Sequence, residues 1–358
     1  MLQRSIYGVL KQLLPFQVRR ALSGICPPKH LYRYLPADFP LTIHIDPCNI
    51  CNFKCVFCPT ADATLLKQVN REACLMSVEL FRKIIDDLSV MLRKKKSGIS
   101  CIHLYKDGEP LLNPHFSDMV RYARESGVAR VLSTTTNGSQ ITEEKALELV
   151  TCGLDNIRIS IEHVNDDGYK SICRSNYTYD DMLQRVRKLH DAKRRTGSLL
   201  HIIVKITDTG FCGKELEKFH NDFKPYCDET RVDSLMGWSD SCRKDFTLGR
   251  KPQTGMDGTT KLHKQVVCPD PFSKLSVNSN GEVSVCCVDW SHGIIVGNVC
   301  ENTIEEIWNG EAFKEIRRLH ISGNRDRIAV CSSCQYVNGT PANADLDSYR
   351  EKLQKYYN

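Results

Sequence analysis

The 358-residue sequence predicts an α/β fold: a partial (β/α)6 TIM-like barrel followed by a small C-terminal domain. Three observations predict it. Between residues 41 and 236, short β-branched runs alternate with longer amphipathic stretches, the pattern of successive βα units. A tight group of cysteines stands directly behind the first of these runs, at the end where parallel barrels build their sites. Further on, Lys274-Leu-Ser-Val-Asn-Ser-Asn280-Gly281-Glu-Val-Ser-Val285 alternates on both sides of Asn-Gly, a strong hairpin signal, and marks a second unit.

Residues 1–39 form an extension. In it Ile6, Val9, Leu10, Leu13 and Leu14 recur at helical spacing among Arg4, Lys11, Arg19 and Arg20. Such an amphipathic helix could rest on a membrane surface or a partner, although packing on the domain's own outside is the simpler reading. The barrel spans 40–236. Its six strands are expected at 41–45, 100–105, 130–135, 156–161, 201–206 and 230–234, with helices at 77–92, 114–125, 142–150, 179–195 and 213–223. Thr142-Glu-Glu144 supplies a cap for the third helix. Residues 237–266 are rich in Gly, Ser, Lys, Asp and Thr without a period, and read as a linker or mobile loop. The second unit spans 267–340, where Thr303-Ile-Glu-Glu306 is a capping box that opens a helix running towards His320. Residues 341–358 form a tail.

The composition excludes several classes. Eighteen cysteines without a basic, apolar, small-residue leader favour reduced thiols and metal ligation over disulfides, and hence a cytoplasmic protein. No apolar stretch approaches the roughly 20 residues that cross a bilayer. The net charge of +6 is modest, and the basic clusters at 93–96 and 193–195 carry no interleaved aromatics, so no nucleic-acid partner is expected.

The chemistry concentrates in Asp46-Pro-Cys48-Asn-Ile-Cys51-Asn-Phe-Lys-Cys55-Val-Phe57-Cys58-Pro-Thr. Three thiolates, Cys51, Cys55 and Cys58, can hold three irons of a cubic 4Fe-4S cluster and leave the fourth open for chemistry. With Cys48 added, the same loop is a Cys-x2-Cys-x3-Cys-x2-Cys set that suits tetrahedral zinc. Spacing alone leaves both readings open.

The Cys51-x3-Cys55-x2-Cys58 core, with an aromatic residue before the last cysteine, resembles the signature of the radical S-adenosylmethionine (SAM) superfamily. Lys106-Asp107-Gly108-Glu109-Pro110 after the second strand is similar to that family's Gly-Gly-Glu-Pro motif, with Asp107 in the place of the first glycine. Thr134-Thr-Thr136-Asn137-Gly138 and Arg158-Ile-Ser160-Ile-Glu162 follow at the expected strands. The resemblance covers about residues 40–236. It implies that the open iron binds SAM and that Asp107, Gly108, Glu109 and Pro110 hold its ammonium. It also implies that Thr136, Asn137 and Ser160 hold its ribose and carboxylate, and that Phe57 lies against adenine.

In the second unit Cys268, Cys286, Cys331 and Cys334 give a closed four-thiolate site, which by itself suits zinc as well as it suits iron. Cys287 could ligate in place of its neighbour, although the Gly281-x4-Cys286 spacing favours Cys286. The hairpin, that spacing, Gly297-Asn298-Val and the helix at 304–308 resemble the twitch domain, the shortened SPASM domain with one auxiliary 4Fe-4S cluster, over about residues 267–336. The other cysteines, Cys212, Cys227, Cys242, Cys287 and Cys300, read as small buried hydrophobes, one of which could donate a hydrogen atom.

The resemblance implies an α/β radical SAM oxidoreductase with two 4Fe-4S clusters, a small-molecule substrate and an electron donor such as flavodoxin or ferredoxin. The single-auxiliary-cluster plan is similar to that of the butirosin-pathway aminocyclitol dehydrogenases. It suggests a two-electron dehydrogenation of a sugar, aminocyclitol or glycoside. The alternatives are epimerisation of a sugar or peptide and, in another class, a zinc-binding interaction module. Arg158, Glu162 and Lys205, charged residues on apolar strands, are the catalytic candidates, because a buried charge needs a partner. Asp289 and His292 are further candidates for a base.

Overall fold

The computed structural model describes residues 30–357 apart from Lys94, Lys96 and Ser97. The N-terminal amphipathic helix expected before residue 25, and half of the basic cluster at 93–96, lie outside the described residues.

Nine strands form one sheet in the order β6-β5-β4-β3-β2-β1-β7-β8-β9. The first six are β1 (Thr42–Ile45), β2 (Cys101–His103), β3 (Leu132–Thr136), β4 (Asn156–Ile161), β5 (His201–Asp208) and β6 (Glu229–Ser234), all parallel to their neighbours. Strands of this kind pack under helices on their outer face and are apolar there. In β4, accordingly, Ile157, Ile159 and Ile161 are fully buried, as are Ile202, Val204 and Ile206 of β5. Five helices return the chain between strands: α1 (Val78–Leu92), α2 (Phe116–Ser126), α3 (Glu143–Thr151), α4 (Tyr179–Thr196) and α5 (Gly213–Phe223). Ser77, Thr142 and Thr178 accept from the first-turn amides of α1, α3 and α4. Gly127 and Gly197 end α2 and α4 in the left-handed conformation that favours glycine. On α1, Phe81, Ile84, Ile85, Leu88 and Met91 face the core at 3–4-residue spacing.

The hairpin expected around Asn280-Gly281 forms, with Gly281 at φ 90°, but it does more than build its own unit. Strand β7 (Lys274–Val277) pairs parallel to β1, from Thr42 opposite Lys274 to Ile45 opposite Val277, so the hairpin extends the barrel sheet on its open side. Strands β8 (Glu282–Ser284) and β9 (Ile295–Asn298) follow antiparallel. Helix α6 (Ile304–Asn309) starts at the Thr303–Glu306 capping box, and α7 (Glu311–Ile321) continues after Gly310.

The two segments read from sequence as linker and tail are both packed in the structure. The stretch read as a linker or mobile loop has no helix or strand but is packed: Ser239, Asp240, Phe246, Thr247 and Gln265 are buried, and Phe246 meets Trp290 edge-on at 6.1 Å. The tail is likewise docked. Its helix α8 (Arg350–Tyr357) packs on α7, with Leu346 and Leu353 in an apolar cluster with Val267, Phe272 and Ile321.

Candidate active site

The loop after β1 is short, apolar where it meets the core and held by main-chain bonds. Lys54 N donates to Cys173 O at 2.8 Å and Val56 N to Ile172 O at 2.9 Å. Held in this way, Cys51, Cys55 and Cys58 form part of the wall of a cavity of about 650 Å³ at the C-terminal ends of the strands. The same cavity receives Phe57, Asp107, Gly108, Glu109, Thr136, Asn137, Ser160, Arg158, Glu162 and Lys205. Of the residues expected around SAM, Pro110 alone stands aside: it is buried in the 3-10 turn Pro110–Leu112.

The glycine of the Gly108-Glu109 pair has a clear steric reason. A Cβ there would stand 2.3 Å from Cys48 O, 2.5 Å from Ile50 O and 2.6 Å from the Asn49 carbonyl carbon. What approaches Gly108 is therefore the cysteine loop itself, and Glu109 N donates to Ile50 O at 2.8 Å. The Glu109 carboxylate is buried and accepts from Thr136 Oγ1 and Asn137 N, both at 2.6 Å, and from Leu111 N at 3.0 Å. Burial outweighs these bonds and pushes its pKa up to about 7. Asn137 in turn donates through Nδ2 to Asn52 Oδ1 at 2.9 Å and reaches Cys51 Sγ at 3.8 Å. One chain of polar contacts thus runs from β3 to the first cysteine.

Asp107 lines the cavity, but its carboxylate is committed elsewhere. It lies 2.7 Å from Lys106 Nζ, 2.8 Å from His292 Nε2 and 3.6 Å from Arg71 Nη1. Desolvation would raise its pKa, yet Lys106, Arg71 and His292 together hold it well below the usual carboxylate range. Arg71 also donates to Thr60 Oγ1 and to Trp290 O, both at 2.8 Å, and Lys106 to Asp289 O at 3.1 Å. The residue that departs from the family motif has therefore become the centre of a buried cationic cluster between the two cysteine groups. Arg71 and Lys106 were missed in the sequence. The only signal was Lys106 beside the motif.

The proposed bases after Cys286 have other duties. Asp289, fully buried, accepts from the Gly293 and Ile294 amides at 3.0 Å, and His292 is the partner of Asp107. Neither lines the cavity. Among the catalytic candidates, Lys205 is paired with Asp233 at 3.1 Å, and Arg158 donates to the Tyr105 hydroxyl and stacks over its ring at 5.0 Å. Glu162 differs: it is buried, its Oε2 has no hydrogen-bond partner, and desolvation raises its pKa against the field of Lys205.

The cysteines can be tested as ligands by their own chemistry. Burial pushes the Cys51 thiol up strongly and Cys58 up to about 11, while Cys55 is raised first by a hydrogen bond with Cys173 and then by burial. Buried thiols ionise only against a compensating cation, which an iron centre supplies. Cys48, the fourth member of the zinc-like spacing, is turned away from the cavity, with its Sγ 3.2 Å from Ile50 O. Three thiols therefore face the cavity, the number that suits an open-iron cluster.

Cys268, Cys286, Cys331 and Cys334 surround a second, enclosed pocket, and Cys287 does not line it. Burial raises all four thiols, Cys331 to about 12. Asp270 and Tyr336 line this pocket and the large cavity alike, so the two share a wall. Each set supplies thiols in the number an iron–sulfur cluster takes, three for the open-iron site and four for the closed one.

Comparison with known proteins agrees with this geometry. A family model described as the radical SAM superfamily matches residues 45–220, and one described as the SPASM iron–sulfur cluster-binding domain matches 268–335. A GTP 3',8-cyclase of Rhodopseudomonas palustris is 26% identical over 262 residues, 72% of this chain and 66% of that protein. An Fe-coproporphyrin III synthase of Methanosarcina barkeri is 30% identical over 143 residues, 40% of this chain and 32% of that protein. The chain thus spans just under two thirds of the cyclase and about a third of the synthase. Among solved structures, SuiB of Streptococcus suis bound to S-adenosylmethionine matches with a TM-score of 0.58 at 15% identity, over 86% of this chain and 73% of that one. BtrN in complex with AdoMet and 2-DOIA matches with a TM-score of 0.52 at 17% identity, over 85% and 97%. At these identities the likeness is one of fold.

Proposed function

The chain belongs to the radical SAM superfamily and carries a SPASM domain, and on that premise we propose that it dehydrogenates a polyhydroxylated small molecule (a sugar, aminocyclitol or glycoside) by two electrons. In this reading Cys51, Cys55 and Cys58 would hold one 4Fe-4S cluster, and Cys268, Cys286, Cys331 and Cys334 would hold a second, which would supply an electron acceptor. SAM bound to the first cluster supplies a 5′-deoxyadenosyl radical able to take hydrogen from an unactivated C–H bond.

The residues of this chain do the rest. Glu109 and Asn137, locked to each other and to the cysteine loop, fix the polar end of the cavity for an ammonium and hydroxyls. Trp238, whose Nε1 donates to Phe57 O at 3.3 Å, and Met236 and Met256 add apolar surface to the wall that excludes water. Arg158 stays protonated and Lys205 is held by Asp233, so the group able to take the hydroxyl proton as a carbonyl forms is Glu162 through its unpaired Oε2.

The observation that carries the dehydrogenase reading is the shared wall. A closed four-cysteine pocket separated from the cavity only by side chains such as Tyr336 and Asp270 is placed to receive an electron. Epimerisation needs a thiol to return hydrogen. Among the described residues no cysteine beyond Cys51, Cys55 and Cys58 lines the cavity, which weighs against it. The curated relatives carry cyclase and synthase names, so the substrate is not transferred from them.

The test is a panel of sugars and aminocyclitols given to anaerobically reconstituted enzyme with SAM and a reductant. A product two mass units lighter, formed together with one 5′-deoxyadenosine, supports dehydrogenation. An isomeric product carrying deuterium from heavy water supports epimerisation and overturns the reading.

The reading includes an electron donor such as flavodoxin or ferredoxin and a cytoplasmic setting, which the free thiols of the described cysteines support. Among the described residues no helix is long and apolar enough to cross a membrane.

A further inference from the structure

The pocket framed by Cys268, Cys286, Cys331 and Cys334 holds one polar side chain with no partner. His320, at the end of α7, lines that pocket and is 1% exposed. Neither of its ring nitrogens, Nδ1 nor Nε2, has a hydrogen-bond partner. Leaving a buried polar group unsatisfied costs about 1–3 kcal/mol, and native proteins retain few such groups without a reason. A neutral imidazole offers one N–H as donor and one bare nitrogen as acceptor, and here both are unspent. The acceptors on the wall of that pocket are the four cysteine sulfurs and the carboxylates of Asp270 and Asp289, of which Asp289 is spent on the Gly293 and Ile294 amides and Asp270 Oδ1 on Lys274.

We propose that His320 donates a hydrogen bond to the sulfurs of the auxiliary cluster and so raises its affinity for an electron. The inference rests on the reading of this pocket as a cluster site. Cluster potentials depend on hydrogen bonds to the sulfurs, because a donor stabilises the added negative charge of the reduced state. His320 is a positioning residue here. Four cysteines complete the ligand set, and nothing about the substrate cavity involves the imidazole. An acceptor cluster beside a cavity where a carbonyl is made gains from this, since an easier reduction draws the electron away from the substrate carbon.

The experiment is a redox titration of the reconstituted full-length enzyme followed by EPR. The SAM-responsive signal serves as the internal control and the SAM-silent signal reports the auxiliary cluster. His320→Phe keeps the volume and removes the donor, while His320→Gln restores an N–H. The expected result is that His320→Phe binds as much iron as wild type, leaves the SAM-responsive midpoint unchanged and lowers the equilibrium constant for reducing the other cluster about tenfold. For one electron that is about 59 mV more negative. His320→Gln recovers part of the shift.

An unchanged midpoint with full iron overturns the proposal. Should the variants fail to load, wild-type protein labelled with nitrogen-15 histidine decides. A weak nitrogen hyperfine coupling at the reduced auxiliary cluster supports the donor, and either no coupling or one as strong as direct ligation overturns it. If wild-type protein loads no second cluster, the reading of the pocket fails instead.

Discussion

His292 Nε2 lies 2.8 Å from Asp107 Oδ2, joining the loop after β2 to the loop that follows Cys286. With Lys106 and Arg71 on the same carboxylate, this contact ties the two cysteine sites into one body. The family resemblance would place glycine at position 107, where no such contact could form.

Asp107→Gly therefore brings the motif closer to the family pattern and yet destabilises the protein. The Lys106 side chain is 0% exposed and that of Arg71 2%, so removing their carboxylate strands two buried cations, at a cost on the order of 3–5 kcal/mol. Urea unfolding of the cofactor-free chain measures this. Because the native pKa of Asp107 is depressed, its contribution is complete above the ordinary value of 3.8 and is lost as pH falls through the native value. Wild type and Asp107→Asn should differ at neutral pH and converge in acid.

Gly108→Ala tests the close approach of the cysteine loop. A methyl group would stand 2.3–2.6 Å from the backbone of residues 48–50, which cannot move aside as a side chain would. The expected cost exceeds the ~1–3 kcal/mol of ordinary overpacking. Iron analysis should show the SAM-side cluster lost and the auxiliary cluster kept.

Glu109 predicts a pH dependence of the opposite sign from that of Asp107. Its native pKa is raised from 4.5 to about 7, so between those values the unfolded chain releases a proton that the native carboxyl keeps, and stability falls as pH rises. Glu109→Gln preserves an acceptor and removes the titration. Chemical denaturation of the cofactor-free chain from pH 4.5 to above 7 should show wild type losing on the order of 3 kcal/mol relative to the variant.

Neighbouring cysteines separate cleanly. Cys286→Ala should lose the auxiliary cluster and Cys287→Ala retain it, since only the first thiol faces the pocket. Cys48→Ala should keep the SAM-side iron, because its thiol lies against Ile50 O outside the cavity. Iron content and visible absorbance of the anaerobic proteins check all three.

The parts of this molecule that were legible in its sequence are those set by local signals. The run at 156–161 reads as a strand because isoleucine recurs at every second position, 157, 159 and 161, and it is β4 to the residue. The Thr303–Glu306 box likewise starts α6 where it should. The pairing of β7 with β1 left no trace, because a parallel register between segments about 230 residues apart has no local sequence cost. The partners of Asp107 were equally hidden: an ion pair between distant loops is a property of the fold. So was the orphaned ring of His320, whose position at a helix end looked ordinary.

The central claim is that Cys51, Cys55 and Cys58 leave one iron open for SAM. The most direct measurement is SAM cleavage by anaerobically reconstituted protein, with iron counted in parallel. Wild type should carry about eight irons and release 5′-deoxyadenosine on reduction. The Cys51→Ala, Cys55→Ala, Cys58→Ala triple variant should keep about half the iron and release none, whereas 5′-deoxyadenosine from that variant would contradict the account.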